Sequence, residues 1–158
     1  MNSFGFAEAI FILDIPLIVS FVSKRFTLGK HERLKSRKQI DILFNDAKNF
    51  SVFPFRVHYR LVTETTDKSA TLQFGVGVST RNFKKAVNRN RVKRLVREAY
   101  RLQKETLQIK LQERKKTLHL FVNYTARELP DFNTIKEKTS VILKKILKLI
   151  DEHDNASA

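Results

Sequence analysis

The chain contains no cysteine, and it is poor in glycine and in acidic side chains. Without cysteine it forms no disulfide framework, thiol nucleophile or cysteine-ligated zinc site, which suits a reducing compartment such as the cytoplasm. Its four glycines form no phosphate-binding loop of the P-loop or dinucleotide type. We therefore expect a cytoplasmic protein that lacks these kinds of site.

Residues that would cut RNA or hold a metal ion are scattered along the chain. The four histidines show neither the HxxxH nor the HExxH spacing of zinc sites. The acidic residues are dispersed, whereas a nuclease made only of protein needs clustered carboxylates to hold two metal ions. The sequence thus predicts no catalytic residue and no metal site in the protein itself.

One long apolar run is present, IFILDIPLIVSFV at residues 10–22. A membrane-spanning helix needs ~20 apolar residues, and Asp14 and Pro16 interrupt this shorter run. No lysine or arginine precedes it, as a secretory signal would require. We interpret residues 1–25 as a loosely ordered apolar extension and assign no membrane partner, with a targeting segment or membrane anchor as the less favoured alternative.

Positive charge dominates the rest of the sequence. Among 158 residues, 31 lysines and arginines face 16 acids, a formal net charge of +15. The stretch Arg81–Arg101 holds nine of the bases and a single acid, Glu98. Such a balance points to a polyanionic partner, and nucleic acid is favoured over an anionic membrane.

The position of these charges on a predicted helix favours a binding role. A helix begins with a partial positive charge, so cations near its start are disfavoured by about 0.3–1 kcal/mol each. Like charges four residues apart add repulsion of about 0.2–0.5 kcal/mol per pair. Phosphate groups at the helix start reverse both penalties, because free N–H groups and arginine side chains bind them. A merely solvated charged face is the less favoured interpretation.

Residue patterning predicts a basic α+β domain over 26–151, followed by a frayed tail over 152–158. Apolar periodicity and capping residues predict helices over 36–46, 87–111 and 134–151. Alternating apolar residues predict strands over 53–62, 71–79 and 117–124. The polar segment 63–70 is typical of a hairpin connection between the first two strands.

Alternation also divides the predicted strands into two faces. The first strand places Phe53, Phe55, Val57, Tyr59 and Leu61 on one face. The second strand carries two glycines, Gly75 and Gly77, on a single face. Glycine in a strand marks close approach by a ligand or another backbone, or else tight packing of a helix over the sheet. The sequence leaves both interpretations open.

A family resemblance rests on the basic stretch. The run from Phe83 to Glu98 fits F-x-x-A-V-x-R-N-R-x-K-R-L-x-R-E. It resembles the motif of the protein subunit of bacterial ribonuclease P. Further support comes from Arg33-Leu34, from Phe44 at the end of the first helix, and from the strand sequence GVGVS at 75–79. The resemblance covers about residues 26 to 150.

The resemblance implies a fold and a division of labour. Members of this family are α/β sandwiches, so we expect a small mixed sheet, about three helices and a left-handed β-α-β crossover. The family's protein subunit binds a catalytic RNA and the single-stranded 5′ leader of precursor tRNA. The RNA removes that leader with Mg²⁺, and the protein improves precursor binding and metal affinity. We expect one protein per RNA.

The resemblance also implies site residues. Those expected to contact the RNA subunit are Arg81, Lys84, Lys85, Arg89, Asn90, Arg91, Lys93, Arg94, Arg97 and Arg101. Those expected to line the leader cleft, between the first helix and the sheet, are Ile40, Phe44, Arg56, His58, Arg60, Gly75 and Gly77. Phe44 matches an aromatic position of the family, while Ile40 stands where many relatives have phenylalanine.

Two other functions compete with this interpretation. A ribosome-associated structural RNA-binding protein would share the charge and the α/β character but would need no leader cleft. A DNA-binding module is less favoured, because no helix-turn-helix or zinc-finger pattern is present.

Overall fold

A computed structural model of the protein describes residues 27–62 and 71–156. The expectations for residues 1–25 lie outside this part. The helices are α1 (Arg37–Asn45), α2 (Ala86–Gln103), α3 (Glu105–Glu113) and α4 (Phe132–Ala156). The strands are β1 (Lys48–Val52), β2 (Phe55–Val62), β3 (Leu72–Val78) and β4 (Thr117–Tyr124).

The four strands form one mixed sheet in the order β1-β2-β4-β3. Strand β2 pairs antiparallel with β1 and with β4, whereas β3 pairs parallel with β4. The prediction of a hairpin between the first two predicted strands is therefore wrong, because β4 lies between β2 and β3. A parallel pair requires a crossover connection, and α2 and α3 provide it.

Helices cover the two sides of the sheet unequally. Helices α2, α3 and α4 pack on one side, where they form the main core with every strand. Fully buried side chains of this core include Val57, Leu120, Tyr100 and Ile146. Among the helices of residues 27–62 and 71–156, α1 alone packs on the other side, in a smaller cluster of Leu34, Leu43 and Phe121. The predicted α/β sandwich is confirmed.

Several predicted element boundaries need correction. The predicted helix over 87–111 is two helices, α2 and α3, separated at Lys104. The buried Lys104 ammonium donates hydrogen bonds to the Thr27 carbonyl at 2.7 Å and to Glu32 Oε1 at 2.5 Å. Helix α4 begins before the predicted cap at Thr134, because the Asp131 carboxylate accepts a hydrogen bond from the Asn133 N–H at the helix start. It also continues past the predicted end at residue 151, into the segment predicted to be a frayed tail.

The region around Phe53 also differs from the prediction. Strand β1 was not predicted, and β2 begins two residues later than expected, after a turn at Phe53 and Pro54 with a cis peptide bond between them. Phe53 lies outside the strand and is 77% exposed. The prediction that Phe53 shares a face with Phe55, Val57 and Tyr59 is therefore wrong, and those three residues lie in the core.

Candidate nucleic-acid interface

Helix α2 begins without the usual compensation for its free N–H groups. Lys85 occupies the cap position and makes no side-chain cap hydrogen bond, and the first turn contains no acid. The partial positive charge of the helix start therefore adds to the exposed Lys84 and Lys85 side chains. This end of the helix is suited to binding anions.

The outer face of α2 and the loop before it display most of the predicted RNA-binding residues. Its inward face packs Val92, Val96 and Ala99 into the core, as apolar periodicity predicted. Tyr100 is also fully buried, whereas Leu102 is 37% exposed. The exposed members of the predicted set are Arg81, Lys84, Lys85, Asn90, Arg91, Arg94 and Arg97.

Two arginines of the predicted set hold the protein's own structure. Arg89 donates from Nη1 to the carbonyls of Phe83 at 2.8 Å and Lys84 at 2.7 Å, which ties the basic loop to the helix. Arg101 makes a two-pronged ion pair with Glu98, at 2.9 and 2.5 Å. The hydrogen bond from Arg101 lowers the pKa of the Glu98 carboxyl. Contact of Arg89, Lys93 or Arg101 with RNA stays a prediction.

Two hollows lie along the basic face. One, of about 470 Å³, is lined by Val87, Asn90, Arg91, Arg94 and Leu95. The other, of about 480 Å³, is lined by Arg94, Leu95 and Glu98 together with Leu28, Arg33, Arg97 and Arg101. The exposed Arg33 supports the family resemblance but is not among the predicted RNA contacts. Arginine side chains around such hollows suit phosphate groups, which they bind through paired N–H donors.

A second surface lies between α1 and the sheet. The Phe44 ring, 44% exposed, stands 4.7 Å from the His58 ring and 5.2 Å from the Phe121 ring, measured between centroids. Phe44 and His58 were predicted to meet here, whereas Phe121 was not. The alternation of β4 is the signal for Phe121, because it places that residue on the same face as His58. Ile40 packs against the cluster beneath these rings.

The two glycines of β3 make room for the Phe121 ring. A Cβ atom at Gly75 would lie 2.5 Å from Phe121 Cδ2, and one at Gly77 would lie 2.8 Å from Phe121 Cε1. Real Cβ atoms do not approach that closely, so these positions require glycine. The ring of a neighbouring strand thus explains both glycines, and neither a helix backbone nor a ligand is needed. Their place in a leader cleft stays a prediction.

Charged and titratable side chains border the aromatic surface. Arg56 and Arg60 are exposed on either side of His58, as the alternation of β2 predicted. Burial, and to a lesser extent the nearby Arg56 charge, hold the pKa of His58 below its ordinary value, while a backbone hydrogen bond at Leu43 acts in the opposite direction. His58 is therefore neutral at pH 7, and the surrounding positive charge comes from the arginines.

Within 27–62 and 71–156, no group of three or more histidine or acidic side chains is placed to hold a metal ion. No helix in the same ranges is long and apolar enough to cross a membrane. What the geometry offers is a basic helix face and an aromatic cleft on opposite sides of one sheet.

Comparison with known proteins identifies the family. A model of the family described as Ribonuclease P matches residues 28–147. The chain belongs to this family. The ribonuclease P protein component of Porphyromonas gingivalis is 44% identical over 121 residues, which cover 77% of this chain and 87% of that protein. The one from Chlorobium phaeobacteroides is 30% identical over 128 residues, covering 76% and 88%.

Solved ribonuclease P proteins share the fold. The one from Thermotoga maritima matches with a TM-score of 0.56 at 27% identity, covering 72% of this chain and 96% of that one. The one from Staphylococcus aureus matches with a TM-score of 0.57 at 17% identity, covering 73% and 94%; this second likeness supports the fold alone. Membership of the ribonuclease P family does not favour the alternative of a ribosome-associated structural protein.

Proposed function

We propose that this chain is the protein component of a ribonuclease P that removes the 5′ leader from precursor tRNA. The observation that carries the proposal is the outer face of α2, where Arg91, Arg94 and Arg97 are exposed beside an uncompensated helix start. Curated relatives that bear the name of this component cover most of the domain. The chain then acts in an endoribonuclease as a binding subunit.

Helix α2 and the loop before it dock on the catalytic RNA. Arginine forks and free backbone N–H groups bind phosphate oxygens without reading sequence, so recognition depends on the shape of the folded RNA. The loop reaches the RNA in a fixed conformation, because Arg89 holds the carbonyls of Phe83 and Lys84. The hollow beside Arg33 extends this basic surface toward Leu28.

The cleft between α1 and the sheet holds the single-stranded leader. Phe44 offers a partly exposed ring for stacking with a base, and Arg56 and Arg60 supply positive charge for the backbone. His58, which is buried against the Phe44 ring, supports that ring as a neutral imidazole, because burial lowers its pKa. Precursor tRNA then gains affinity that mature tRNA, which has no leader, does not gain.

The chemistry belongs to the RNA subunit in this proposal. The described residues offer no group of acids or histidines to hold a metal ion, so Mg²⁺ is bound mainly by the RNA. The protein raises the effective metal affinity by neutralising phosphates and by holding the substrate in place. One protein binds each RNA, and the complex works in the cytoplasm.

Reconstitution tests the proposal directly. The full chain, added to its catalytic RNA at low Mg²⁺, is expected to increase the rate of precursor tRNA cleavage. The double variant Arg91→Glu/Arg94→Glu should lose RNA-subunit affinity and flatten the salt dependence, by about 0.7–0.9 in log–log slope per lost phosphate contact. Absence of stimulation by the wild-type chain would overturn the proposal.

A matched control separates the site from general charge effects. Lys136→Glu/Lys144→Glu makes the same change in net charge at exposed positions of α4. Its salt slope should remain close to that of the wild type. Equal slopes for both double variants would show that α2 is not the docking surface.

The leader cleft has its own test. Phe44→Ala should weaken binding of precursor tRNA by about 1–3 kcal/mol per unstacked base and leave mature tRNA unchanged. Ile109→Ala, which truncates a similarly exposed apolar side chain on α3, is the control. Equal losses for precursor and mature tRNA would argue against a leader contact at Phe44.

A further inference from the structure

Phe53 is the most exposed of the large apolar side chains in the described ranges. It is 77% exposed at the turn between β1 and β2, whereas Phe55, two residues later, is 1% exposed. A solvated phenylalanine gives the fold no burial energy, so the fold alone does not explain it. Neither the family motif nor the predicted site includes this residue.

Hydrogen bonds from Thr125 hold the turn that presents Phe53. Pro54 is buried, and its carbonyl accepts hydrogen bonds from the Thr125 N–H at 2.9 Å and from the Thr125 hydroxyl at 2.8 Å. The Thr125 carbonyl in turn accepts a bond from Asn82 Nδ2 at 2.8 Å. This series, which we call the Asn82 brace (Asn82, Thr125 and Pro54), connects the turn to the basic loop before α2.

The turn stands at one end of the leader face of the sheet. Ser51, Arg56, Asn123 and Gly77 form a row of paired positions across the strands, next to the turn. The row that contains His58 lies two residues further along β2, about 7 Å away at the usual rise of a strand. Phe53 follows β1 directly, in the turn beyond the Val52–Phe55 pair at this end of the sheet.

We propose that Phe53 is a stacking platform for an unpaired base of single-stranded RNA, beyond the base that Phe44 holds. The proposal rests on the leader cleft of the proposed function and extends it to the end of the sheet. An exposed ring with a cation nearby is the arrangement that single-strand binding proteins use, because every base has a face that stacks. Arg56, exposed in the adjacent row, supplies that cation. The Asn82 brace fixes the ring's position relative to the basic loop.

A series of leader lengths tests the platform. The reconstituted holoenzyme is given precursor tRNAs whose leaders are lengthened one nucleotide at a time, and the dissociation constant is measured for each. With Phe53→Ala, short leaders should bind as they do to the wild type. Once the leader reaches the turn, the variant should bind about 5-fold or more weakly, as expected for a lost stacking contact.

Two further variants make the result specific. Phe53→Tyr keeps an aromatic ring and should retain the affinity of the wild type at every length. Val141→Ala shortens an exposed apolar side chain on α4 and should change nothing. Unfolding midpoints, measured for each variant, should match the wild type because these side chains are on the surface.

The brace is tested as a positioning device. Thr125→Val removes one hydrogen bond to the Pro54 carbonyl and keeps the shape of the side chain. It should weaken binding of long leaders only, by less than Phe53→Ala does. In the Phe53→Ala background it should add no further loss, whereas a purely structural role would add its effect at all lengths.

The outcomes separate this inference from the proposed function. If the wild-type chain stimulates cleavage but Phe53→Ala binds every leader like the wild type, the platform does not exist and the proposed function stands. A loss that is equal at all leader lengths also overturns the platform, and it would indicate that Phe53 contacts the RNA subunit instead. Failure of the wild type to stimulate overturns the proposed function itself.

Discussion

The two faces of the sheet use the same strands in opposite ways. On β2, Phe55, Val57 and Tyr59 are buried beneath three helices, while Arg56 and Arg60, at the alternate positions, are exposed. In the part of the chain that the structure describes, one helix of nine residues, α1, covers the second face. One face therefore supplies most of the core, and the other remains partly open.

On the open face, residues without side chains make room for an aromatic ring, whereas large side chains fill the closed face. On the closed face, large residues from helices and strands fill the space between layers. On the open face, Gly75 and Gly77 leave a shallow place in which the Phe121 ring lies flat enough for Phe44 to stand against it. The result is an aromatic surface that stays partly accessible to solvent, which a fully packed layer would not allow.

The largest effect of a substitution should come from the closed face. Leu120 is fully buried at the centre of the main core, so Leu120→Ala should lower the free energy of unfolding by about 2–5 kcal/mol. Arg60→Ala, on the neighbouring strand and the open face, should change it by about 0.5 kcal/mol or less. Denaturant unfolding of both variants checks the contrast, and similar losses would contradict it.

A smaller loss should follow from filling the glycine positions. Gly75→Ala would push a Cβ atom into the Phe121 ring, at a cost of about 1–3 kcal/mol in the free energy of unfolding. Gly29→Ala is the matched control, because its new Cβ would meet only Glu32 Oε2, at 3.7 Å. If the ring is the cause, Phe121→Leu should cost less in the Gly75→Ala background than in the wild type. Purely additive effects would rule the ring out.

Substitution at Arg56 should affect binding with little effect on stability. The side chain is exposed and lies on the open face, so Arg56→Gln should change the free energy of unfolding by about 0.5 kcal/mol or less. Affinity for precursor tRNA should fall while affinity for mature tRNA stays constant. Titration of both tRNAs against the holoenzyme measures the difference. An equal loss of affinity for mature tRNA would show that Arg56 does not contact the leader.

Local patterns in the sequence predicted most of the elements but not their arrangement. Alternation identified the strands that became β2, β3 and β4, together with their core-facing residues. It missed β1, whose sequence KNFSV is short and mostly exposed, and it could not order the strands. Strand β4 lies between β2 and β3 because of pairings between residues distant in sequence, and alternation within one strand does not reveal such pairings.

The candidate site shows the same division. Charge density located the helix that carries Arg91 and Arg94, because like charges at helical spacing are visible in sequence. The internal bonds of Arg89 were not foreseen, since they depend on the path of the preceding loop. The Phe121 ring explains the glycines of β3, and no local pattern pairs residues that far apart in sequence.

The smallest expected effect is a pH dependence confined to the open face. Burial, with a contribution from nearby arginines, lowers the pKa of both His58 and His119. Below about pH 6.5 the unfolded chain binds protons that the folded chain does not, so the free energy of unfolding should fall as pH drops through and below that value. The loss is complete once the pH is below the folded pKa values.

This dependence is measured by comparing the wild type with His58→Gln/His119→Gln, in which the slope below about pH 6.5 should flatten. Asp151 does not obscure it, because the hydrogen bond from Lys110 lowers the pKa of that carboxyl from 3.8, and its contribution is lost only at more acidic pH. In Arg56→Gln, the pKa of His58, followed by NMR, should rise only part of the way to its ordinary value. Burial is the larger cause, so a complete return would show that charge, and not the cover provided by α1, keeps His58 neutral.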